Sequence, residues 1–492
     1  MSGPHVDAVV VGGGLAGITA ALDLAASGAS VALVERRRRL GGLTWSFAHH
    51  GLQLDNGQHV FLRCCDAYRG FLSRIGSAGD VELQPRLEIT AVRPGPGAGT
   101  PPTSGTLGRN DLPAPLHLGR SLLRYPLMSR SERLRVGRAV LGLRRLDLDD
   151  PALDEETFGS WLDRHGQGPG ALGALWDLIT VATVNLPARE ASAAIAAMVF
   201  RTGLLEDHAA ADLGWSRLPL GILHGERAAA TLERAGVSLR MEETVVSVGP
   251  ADEGCPGPLG VTTTSGPLGA DMVVVAVPHT VAGSLLPAGS FPGQELLEKL
   301  GTSAIVNLHV VFDRQVTDLP LLAGVGSPVQ WVFDRSASAG LDGNGQYLAL
   351  SLSAADHLVG RHPDLIAAEL LPELERLLPE ARGARVLETL VTKERAATFR
   401  AAPGSSCLRP GPSTSTPGLS VAGAWTATGW PATMEGAVRS GHAAAAAALD
   451  SSGRRSPTRR PTTKRPTGKP PTGQRPPARQ SPARQPTTEE VA

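Results

Sequence analysis

The chain has 492 residues, and its 47 Lys and Arg residues balance 47 Asp and Glu residues to a formal net charge of zero. With 42% hydrophobic and 19% charged residues, the composition is typical of a globular protein and excludes a wholly disordered chain. The charge is uneven, because residues 451–492 hold eight Arg and two Lys against two Glu, which leaves residues 1–450 with 37 basic and 45 acidic residues.

Neither a membrane span nor a secretory signal is indicated. The sequence has no apolar run of roughly 18 residues, which a spanning helix needs, and no basic stretch precedes its first apolar run. Its four cysteines, of which Cys64 and Cys65 are adjacent, show no metal-ligand spacing. We therefore expect reduced thiols, a cytoplasmic location and no metal site.

The first predicted element is a strand, a glycine turn, a helix and a second strand, over residues 6–35. Its turn has the spacing G-x-G-x-x-G. Gly12 permits a tight turn, Gly14 lets the backbone approach a pyrophosphate, and Gly17 lets the helix pack closely on the strand. Glu35 is placed to accept hydrogen bonds from a ribose diol. The predicted dinucleotide site comprises Gly12, Gly14, Leu15, Ala16, Gly17 and Glu35.

An arginine-rich stretch, RRRRLGGLTWS, follows Glu35. Its spacing E-x-R-x-R-x-G-G resembles the amine oxidase and carotenoid desaturase superfamily of FAD enzymes, in which this segment runs along the pyrophosphate and the flavin. That superfamily often has Arg after the paired glycines, where this chain has Leu43. A solvated charged loop is the alternative for the arginines. The resemblance implies FAD contacts by Arg36, Arg37, Arg39, Gly41, Gly42, Leu43 and Thr44.

The next polar cluster, DNGQH, contains Asp55, Gln58 and His59. This region borders the flavin and the substrate in the superfamily, so the resemblance implies a catalytic role for all three residues. His59 is the candidate proton donor, because the reference pKa of histidine is near 6.5, and Gln58 is placed to hydrogen-bond to the substrate or the flavin. The alternative is that Asp55 and His59 hold a turn together. Tyr68 is a second donor candidate, with core packing as its alternative.

A basic, periodic stretch spans residues 116–146 and contains eight arginines among leucines. It predicts either an amphipathic surface that meets anionic headgroups or a helix pair with a solvated basic face. Residues 151–212 are predicted to be largely helical. Asn185 is a candidate polar contact or a structural cap, and Trp215 and Arg217 are further candidates for the site.

Further strands are predicted at residues 237–248, 268–277, 303–313 and 346–353, and a helix at 363–379. The first of these strands resembles the one whose backbone contacts the adenine edge in the superfamily, which implies a cofactor contact at Val245. A plain core strand is the alternative. Cys407 lies in a stretch, GSSC, that does not favour covalent attachment of a flavin.

The motif VAGAWTATGWPATMEGAVRSG resembles the second flavin motif of the superfamily. A strand is predicted at Leu419–Val421 and a helix from about Ala432 to Leu449, whose positive end favours an anionic reduced flavin. The superfamily usually has Asp where this chain has Ala424. Trp425 and Trp430 are predicted either to line the flavin pocket or to pack in the core. The resemblance implies cofactor contacts by Gly423, Ala424, Trp430, Met434, Glu435 and Gly436.

Residues 451–492 are rich in Pro, Thr, Arg, Gln and Ser, with nine prolines. Such a segment buries too little apolar area to offset its ordering entropy, so it is predicted to be disordered. It is either a solvated tail without a specific role or a segment that binds anionic lipid or another acidic partner.

The predicted fold class is α/β. A Rossmann-like FAD-binding domain, of the glutathione reductase and amine oxidase type, is interleaved with an α+β substrate domain and followed by the disordered tail. The FAD-binding domain is assigned to residues 1–90, 222–290 and 401–450. The substrate domain is assigned to residues 91–221 and 291–400.

Residues 5–449 as a whole resemble the squalene-associated FAD-dependent desaturase-like proteins, also called hydroxysqualene dehydroxylases. The resemblance is carried by DNGQHVFLRCCDAYRGFL, LPAPLHL, LWDLITVATVN, FRTGLL, WSRLPLG and GWPATMEGAVRSG. It implies FAD-dependent reduction of hydroxysqualene to squalene, which feeds hopanoid synthesis. It further implies an isoprenoid substrate, peripheral contact with the inner face of the membrane and association with other squalene-forming enzymes, but no nucleic acid partner.

Two other functions stay open. One is that of a carotenoid-type desaturase or an amine oxidase, although the 4% aromatic content gives little sign of an aromatic cage for an amine. The other is that of a non-catalytic FAD-binding partner of the squalene-forming enzymes, which would bind FAD without turning over any isoprenoid.

Overall fold

A computed structural model describes residues 5–97, 99–253 and 255–453. The predicted disorder of residues 451–492 therefore falls, from residue 454 on, outside the described part of the chain. The described residues all belong to one compact unit. The division into an FAD-binding and a substrate domain accordingly stays a prediction.

The described part of the chain contains helices and strands in alternation. The strands are β1 His5–Val11, β2 Val31–Glu35, β3 Ser46–His49, β4 Leu52–Asp55, β5 Val60–Leu62, β6 Val81–Leu83, β7 Glu88–Arg93, β8 Thr103–Gly108, β9 Leu213–Ser216, β10 Ser238–Met241, β11 Val245–Pro250, β12 Leu259–Thr263, β13 Gly266–Val275, β14 Thr302–Phe312, β15 Leu321–Gly324, β16 Trp331–Asp334, β17 Gln346–Leu352, β18 Val386–Phe399 and β19 Leu419–Val421. The helices are α1 Leu15–Ala26, α2 Asp66–Arg74, α3 Gly119–Arg124, α4 Arg130–Arg145, α5 Phe158–Arg164, α6 Pro169–Ala171, α7 Asp177–Val184, α8 Ala193–Phe200, α9 Arg227–Arg234, α10 His279–Leu285, α11 Ser336–Ala339, α12 Pro363–Leu377 and α13 Met434–Ser451.

The first sheet has the strand order β10-β2-β1-β13-β12-β11, and β19 pairs with β13. Strands β10, β2, β1, β13 and β19 run parallel to one another, whereas β12 pairs antiparallel with β13. The apolar runs of β1 and β2 are buried, as expected for parallel strands covered on both faces. Helices α1 and α13 pack against each other beside this sheet. The sheet therefore brings the first and last flavin motifs together.

The second sheet has the order β18-β14-β17-β16-β15-β7-β8. Helix α12 covers one apolar face of it, and the hairpin β3–β4 packs on Tyr347 and Ala349 of β17. A smaller third sheet joins β5, β9 and β6. Helices α4, α5, α7 and α8 share a separate core around Phe158, Trp161 and Trp176. Among the described residues, no helix has both the length and the apolarity needed to cross a bilayer.

Two sequence-based boundaries are wrong. The strand predicted over residues 237–248 is two strands, β10 and β11, because Glu242 between them has a φ of 58° and turns the chain. The Gly/Pro-rich composition of residues 93–105 predicts a surface loop. The stretch is only partly a loop, since Arg93 ends β7 and Thr103 begins its antiparallel partner β8.

Candidate active site

A cradle between the end of β1 and the first turn of α1 is formed by Gly12, Gly13, Gly14 and Gly17. A Cβ atom at Gly17 would lie 1.9 Å from the carbonyl oxygen of Gly12, so only glycine allows the helix to approach the strand this closely. Gly12 has a φ of 105°, where L side chains are strained. A Cβ at Gly14 would meet no atom closer than 3.8 Å, the Cα of Gly42, and no side chain caps the helix at Gly14. The backbone of residues 14–16 is thus open to an anion such as a pyrophosphate.

Glu35 is held at the end of β2 by two backbone amides. Its Oε2 accepts from the Gly13 N–H at 2.7 Å, and its Oε1 accepts from the Arg37 N–H at 2.9 Å. The carboxylate is therefore fixed beside the cradle, in the position expected for a ribose contact.

The predicted arginines differ in their environments. Arg36 and Arg37 are exposed. Arg39 donates to the Gly42 carbonyl at 3.1 Å, and its guanidinium lies 4.0 Å from the ring centroid of Trp45. Burial, with a smaller contribution from Arg37, lowers the pKa of Arg39 to about 10, so it remains charged at neutral pH. Only Arg39 of these three is built into the loop.

Asn56 holds the loop of residues 41–46, a role that the sequence motifs did not predict. Its Oδ1 accepts from the Trp45 N–H at 3.2 Å, and its Nδ2 donates to the Leu43 carbonyl at 2.9 Å. The Thr44 hydroxyl donates to Gly41 within the same loop. The position of Asn56 in DNGQH, between the predicted site residues Asp55 and Gln58, was the available signal in the sequence. Asn56 is thus a positioning residue for the predicted flavin loop.

Arg409 clamps the second flavin motif, and sequence reasoning missed it. Its guanidinium donates to the carbonyls of Thr426 at 2.6 Å and Trp430 at 2.7 Å. Longer bonds reach the carbonyls of Ala424 and Trp425. Burial lowers its pKa to about 10. Nothing in the surrounding sequence, SSCLRPG, signals a buried arginine.

Helix α13 begins at Met434, close to the predicted start, with the Thr433 hydroxyl accepting from the Gly436 N–H at 3.1 Å. The Glu435 side chain is fully buried and points away from the predicted cofactor contact. Its carboxylate accepts from the N–H groups of Ala67 and Tyr68 at the start of α2, and from Arg439 at 2.6 Å. A cofactor contact at Glu435 is thereby limited to its backbone.

The two tryptophans of this motif differ. Trp425 is 4% exposed and donates to the Val277 carbonyl at 2.9 Å, which is the core-packing alternative. Trp430 is half-buried, with the Arg439 guanidinium 5.0 Å from its ring centroid. Gly423 has a φ of 144°, and a Cβ there would meet Trp425 Nε1 at 2.3 Å. Val245 is buried at an irregularity in the pairing of β11 with β12. Adenine contact at Val245 stays a prediction.

Asp55 holds the site together through groups that the sequence analysis did not pair with it. Its carboxylate accepts from the Ser46 hydroxyl at 2.6 Å, the Leu220 N–H at 2.9 Å and Arg335 at 3.2 Å. Arg335 is itself buried and donates to the Ser216 carbonyl. A carboxylate with these three partners has little capacity left for a substrate. Asp55 therefore positions β4 rather than contacting the reacting atoms.

Gln58 and His59 lie at the turn after β4 and differ from Asp55 in having unused polar atoms. The Nε2 atom of Gln58 is buried and has no hydrogen-bond partner among the described residues, and the same is true of Trp45 Nε1. His59 Nδ1 lies 3.2 Å from the Gly57 carbonyl. Burial lowers the pKa of His59, against smaller raising effects of Gly57 and Asp55. Buried donors without partners are expected where a ligand completes the site.

The remaining candidates serve the fold. Tyr68 is 1% exposed, and its hydroxyl lies 2.8 Å from Nε2 of His224 in the core. Asn185 ends α7 in a left-handed conformation, with its amide bonded to Ser303, Thr398 and Ala354. Trp215 lies in β9, and Arg217 donates to the Gly79 carbonyl. Cys407 is exposed, and its thiol donates a hydrogen bond to the Gly404 carbonyl.

FAD fits this arrangement on its geometry. The glycine cradle, the oriented Glu35 and the positive end of α13 converge through the pairing of β1, β13 and β19. The unpartnered Nε1 donor of Trp45 lies in the loop that borders this region. These groups match the parts of a dinucleotide-linked flavin: a pyrophosphate, a ribose diol and a ring with polar edges.

Comparisons with known proteins agree with this interpretation. The profile of the flavin containing amine oxidoreductases matches residues 15–449. The chain is 30% identical over 435 residues to a hydroxysqualene dehydroxylase of Rhodopseudomonas palustris, covering 84% of this chain and 91% of that protein. It is 25% identical over 451 residues to a zeta-carotene desaturase of Synechocystis sp., and the match covers 82% of this chain and 89% of that protein. A double mutant of putrescine oxidase has the same fold, with a TM-score of 0.69, 18% identity and coverage of 92% and 100%. The predicted fold class and FAD as cofactor are confirmed.

Proposed function

The chain belongs to the family of flavin-containing amine oxidoreductases and is an FAD-dependent oxidoreductase, and from this premise we propose that it reduces hydroxysqualene to squalene. The observation that carries the proposal is its 30% identity, over 84% of the chain, to a protein named hydroxysqualene dehydroxylase. The buried, unpartnered Nε2 donor of Gln58 adds support, because a site that must hold a lone hydroxyl in an apolar substrate needs such a donor. The product would feed hopanoid synthesis.

The balanced reaction breaks the C–O bond of the allylic alcohol, forms a C–H bond at that carbon and releases water. When bound and reduced, FAD supplies the two electrons and the hydrogen that the carbon receives. Gln58 Nε2 donates a hydrogen bond to the hydroxyl oxygen and orients it. His59 protonates that oxygen as it leaves as water. The Nδ1–H of His59 donates to the Gly57 carbonyl. The proton that is delivered to the leaving oxygen is therefore the one on Nε2.

The pH dependence of this protonation follows from the lowered pKa of His59. Because burial lowers the pKa of His59 below 6.5, the imidazolium form is lost as the pH rises through that lowered value. We expect kcat/KM to decline with rising pH and His59→Gln to abolish this decline. A pH profile that is the same in His59→Gln would exclude His59 as the proton donor.

The direct test incubates the protein and chemically reduced FAD with hydroxysqualene under anaerobic conditions, and measures squalene by mass spectrometry. We expect squalene from the wild-type protein and about 10- to 100-fold lower kcat/KM for Gln58→Leu, the loss expected for one buried hydrogen bond. Gln53→Leu is the matched control, because Gln53 is an exposed glutamine on β4, the strand that precedes the turn with Gln58. Both variants should retain FAD.

Each rival function gives a different result in this assay. Absence of squalene contradicts the proposal. Oxidation of a carotene or of a diamine instead would identify a desaturase or an amine oxidase. Bound FAD without turnover of any isoprenoid would identify a non-catalytic partner of the squalene-forming enzymes.

We propose further that the basic stretch of residues 116–146, together with the preceding Leu112, docks on an anionic membrane surface. This surface gives access to a substrate that is nearly insoluble in water. The exposed leucines of this segment are Leu112, Leu116, Leu123, Leu134 and Leu141, each between 51% and 72% exposed. On α4, the exposed Leu134, Arg138, Leu141 and Arg145 follow at spacings of three or four and so share one helical face. Leucines that enter the interface beside arginines at headgroup level are typical of such surfaces.

Vesicle co-sedimentation tests the docking surface. We expect binding to vesicles with anionic lipid that weakens at high salt, and an about tenfold or greater loss in Leu134→Ser/Leu141→Ser, because each leucine contributes about 1.5–3 kcal/mol on burial. Leu365→Ser, at a position on α12 that is 58% exposed, is the control. No binding at any salt concentration, or equal binding by the double variant, would contradict the proposal. Vesicle binding by a variant truncated after Asp450 measures how much the basic residues 451–492 contribute to membrane affinity.

A further inference from the structure

Two histidines and a glutamate meet at the edge of the second sheet. The Nε2 atom of His49 lies 2.5 Å, and the Nδ1 atom of His50 lies 2.6 Å, from the same Oε1 atom of Glu388. The two imidazole rings are stacked, with their centroids 4.3 Å apart. From this geometry we propose that His49, His50 and Glu388 bind a divalent transition metal ion, with Zn²⁺ as the expected occupant.

The fold holds the three residues in place from both sides. His49 ends β3, and His50 turns the hairpin with a φ of 45°, an uncommon conformation for a residue other than glycine. Apolar residues of the hairpin, Leu52 and Leu54, pack with Tyr347 of β17. Glu388 lies in β18, which forms the edge of this sheet. The histidines are therefore directed at Glu388 by packed elements and not by a flexible loop.

The donor set has the chemistry of a zinc site. Two imidazole nitrogens and one carboxylate oxygen suit Zn²⁺, which takes four tetrahedral ligands at about 2.0–2.2 Å from such groups. Donor atoms in that geometry are roughly 3.2–3.5 Å apart, so the histidines need to withdraw from Glu388 by less than about 1 Å. The metal replaces the hydrogen-bonding protons between them. The His50 side chain is 74% exposed, which leaves a fourth position for water.

Among the described residues, this is the one group of His, Cys, Asp and Glu with such a geometry. Its neighbour His309 has both ring nitrogens engaged, by the Tyr347 hydroxyl at 2.6 Å and the Thr392 hydroxyl at 3.1 Å, and so does not compete for the ion. Ligand spacing along the chain predicted no metal site. Glu388 is 339 residues from His49, which no local spacing can show.

A metal at this position ties the β3–β4 hairpin to β18. The opposite end of the hairpin carries Asp55 and Asn56, which hold Ser46 and Trp45 beside the predicted flavin site. Because the ion binds the folded chain and not the unfolded chain, it raises the thermal stability. The site is independent of the substrate and of the proposed reaction.

The test uses full-length protein freed of any histidine tag and of metal. Co²⁺ is added first, because a four-coordinate site gives it intense visible absorption, and Zn²⁺ affinity is then measured by calorimetry. We expect one ion per chain and a higher melting temperature with Zn²⁺. Loss of an outer-shell partner lowers metal affinity about 10- to 100-fold, and loss of a direct ligand should lower it at least as much. We expect this loss of Zn²⁺ affinity in each of the variants His49→Ala, His50→Ala and Glu388→Gln.

His357→Ala is the matched control, since His357 is exposed and outside the cluster. It should bind Zn²⁺ as the wild-type protein does. Melting temperature and FAD content of each variant without metal separate a loss of the site from a loss of the fold. No Zn²⁺ binding by the wild-type chain, or equal binding by the three cluster variants, would overturn the proposal and leave an ion pair only.

Discussion

Gly17→Ala is expected to yield a folded protein that purifies largely without FAD. The added Cβ would lie 1.9 Å from the Gly12 carbonyl oxygen and 3.3 Å from the Ala276 Cβ, both in the buried junction of α1 with the first sheet. Neither neighbour is the end of a flexible side chain, so α1 must move away from β1. That movement displaces the helix N-terminus from the pyrophosphate position.

The size of the effect follows from overpacking. Such substitutions cost about 1–3 kcal/mol, which corresponds to an about 5- to 150-fold weaker FAD affinity if the strain is relieved on loss of the cofactor. The measurement is the ratio of flavin to protein absorbance after purification, followed by FAD titration of the apoprotein.

Gly70→Ala is the control for this substitution. Gly70 lies in α2, is exposed, and a Cβ there would meet no atom within 4 Å. Alanine at a helical position should be neutral or stabilise the helix by up to about 1 kcal/mol. If Gly17→Ala retains full FAD content, the cradle does not hold the pyrophosphate as inferred.

The features that the sequence predicted well are local ones. The G-x-G-x-x-G turn, the position of Glu35 and the start of α13 each depend on residues within one strand and the next helix. For these, short-range patterns and the structural requirement coincide. The predicted strands at 268–277, 303–313 and 346–353 correspond to β13, β14 and β17 within a few residues.

The features that the sequence missed depend on pairs of residues far apart in the chain. Asp55 was grouped with His59 because they are neighbours, but its ionic partner, Arg335, is 280 residues away. Glu435 was assigned to the flavin because of its motif, but its carboxylate caps α2, which is 367 residues away. In both cases the prediction rested on neighbours in the sequence, whereas tertiary packing decides which group the side chain hydrogen-bonds to.

Arg409 shows the same limit, and its loss should destabilise the fold because its guanidinium bonds to several backbone carbonyls. Arg409→Leu removes the donors to the Thr426 and Trp430 carbonyls while keeping an apolar side chain beside Phe399, over whose ring the guanidinium lies at 4.7 Å. A buried carbonyl left without its partner costs about 1–3 kcal/mol. We therefore expect a loss of about 2–6 kcal/mol in the free energy of unfolding.

In Arg409→Leu, the second flavin motif should lose its conformation before the rest of the fold unfolds. The segment that Arg409 clamps, residues 424–430, leads directly into α13, whose N-terminus faces the predicted flavin position. Arg409→Lys should be intermediate, because a single ammonium group keeps the charge but cannot reproduce the planar set of donors. Urea unfolding and FAD content measure the two effects. Arg395→Ala, at an exposed position of β18, is the control. Wild-type stability in Arg409→Leu would mean that the motif holds its conformation without the clamp.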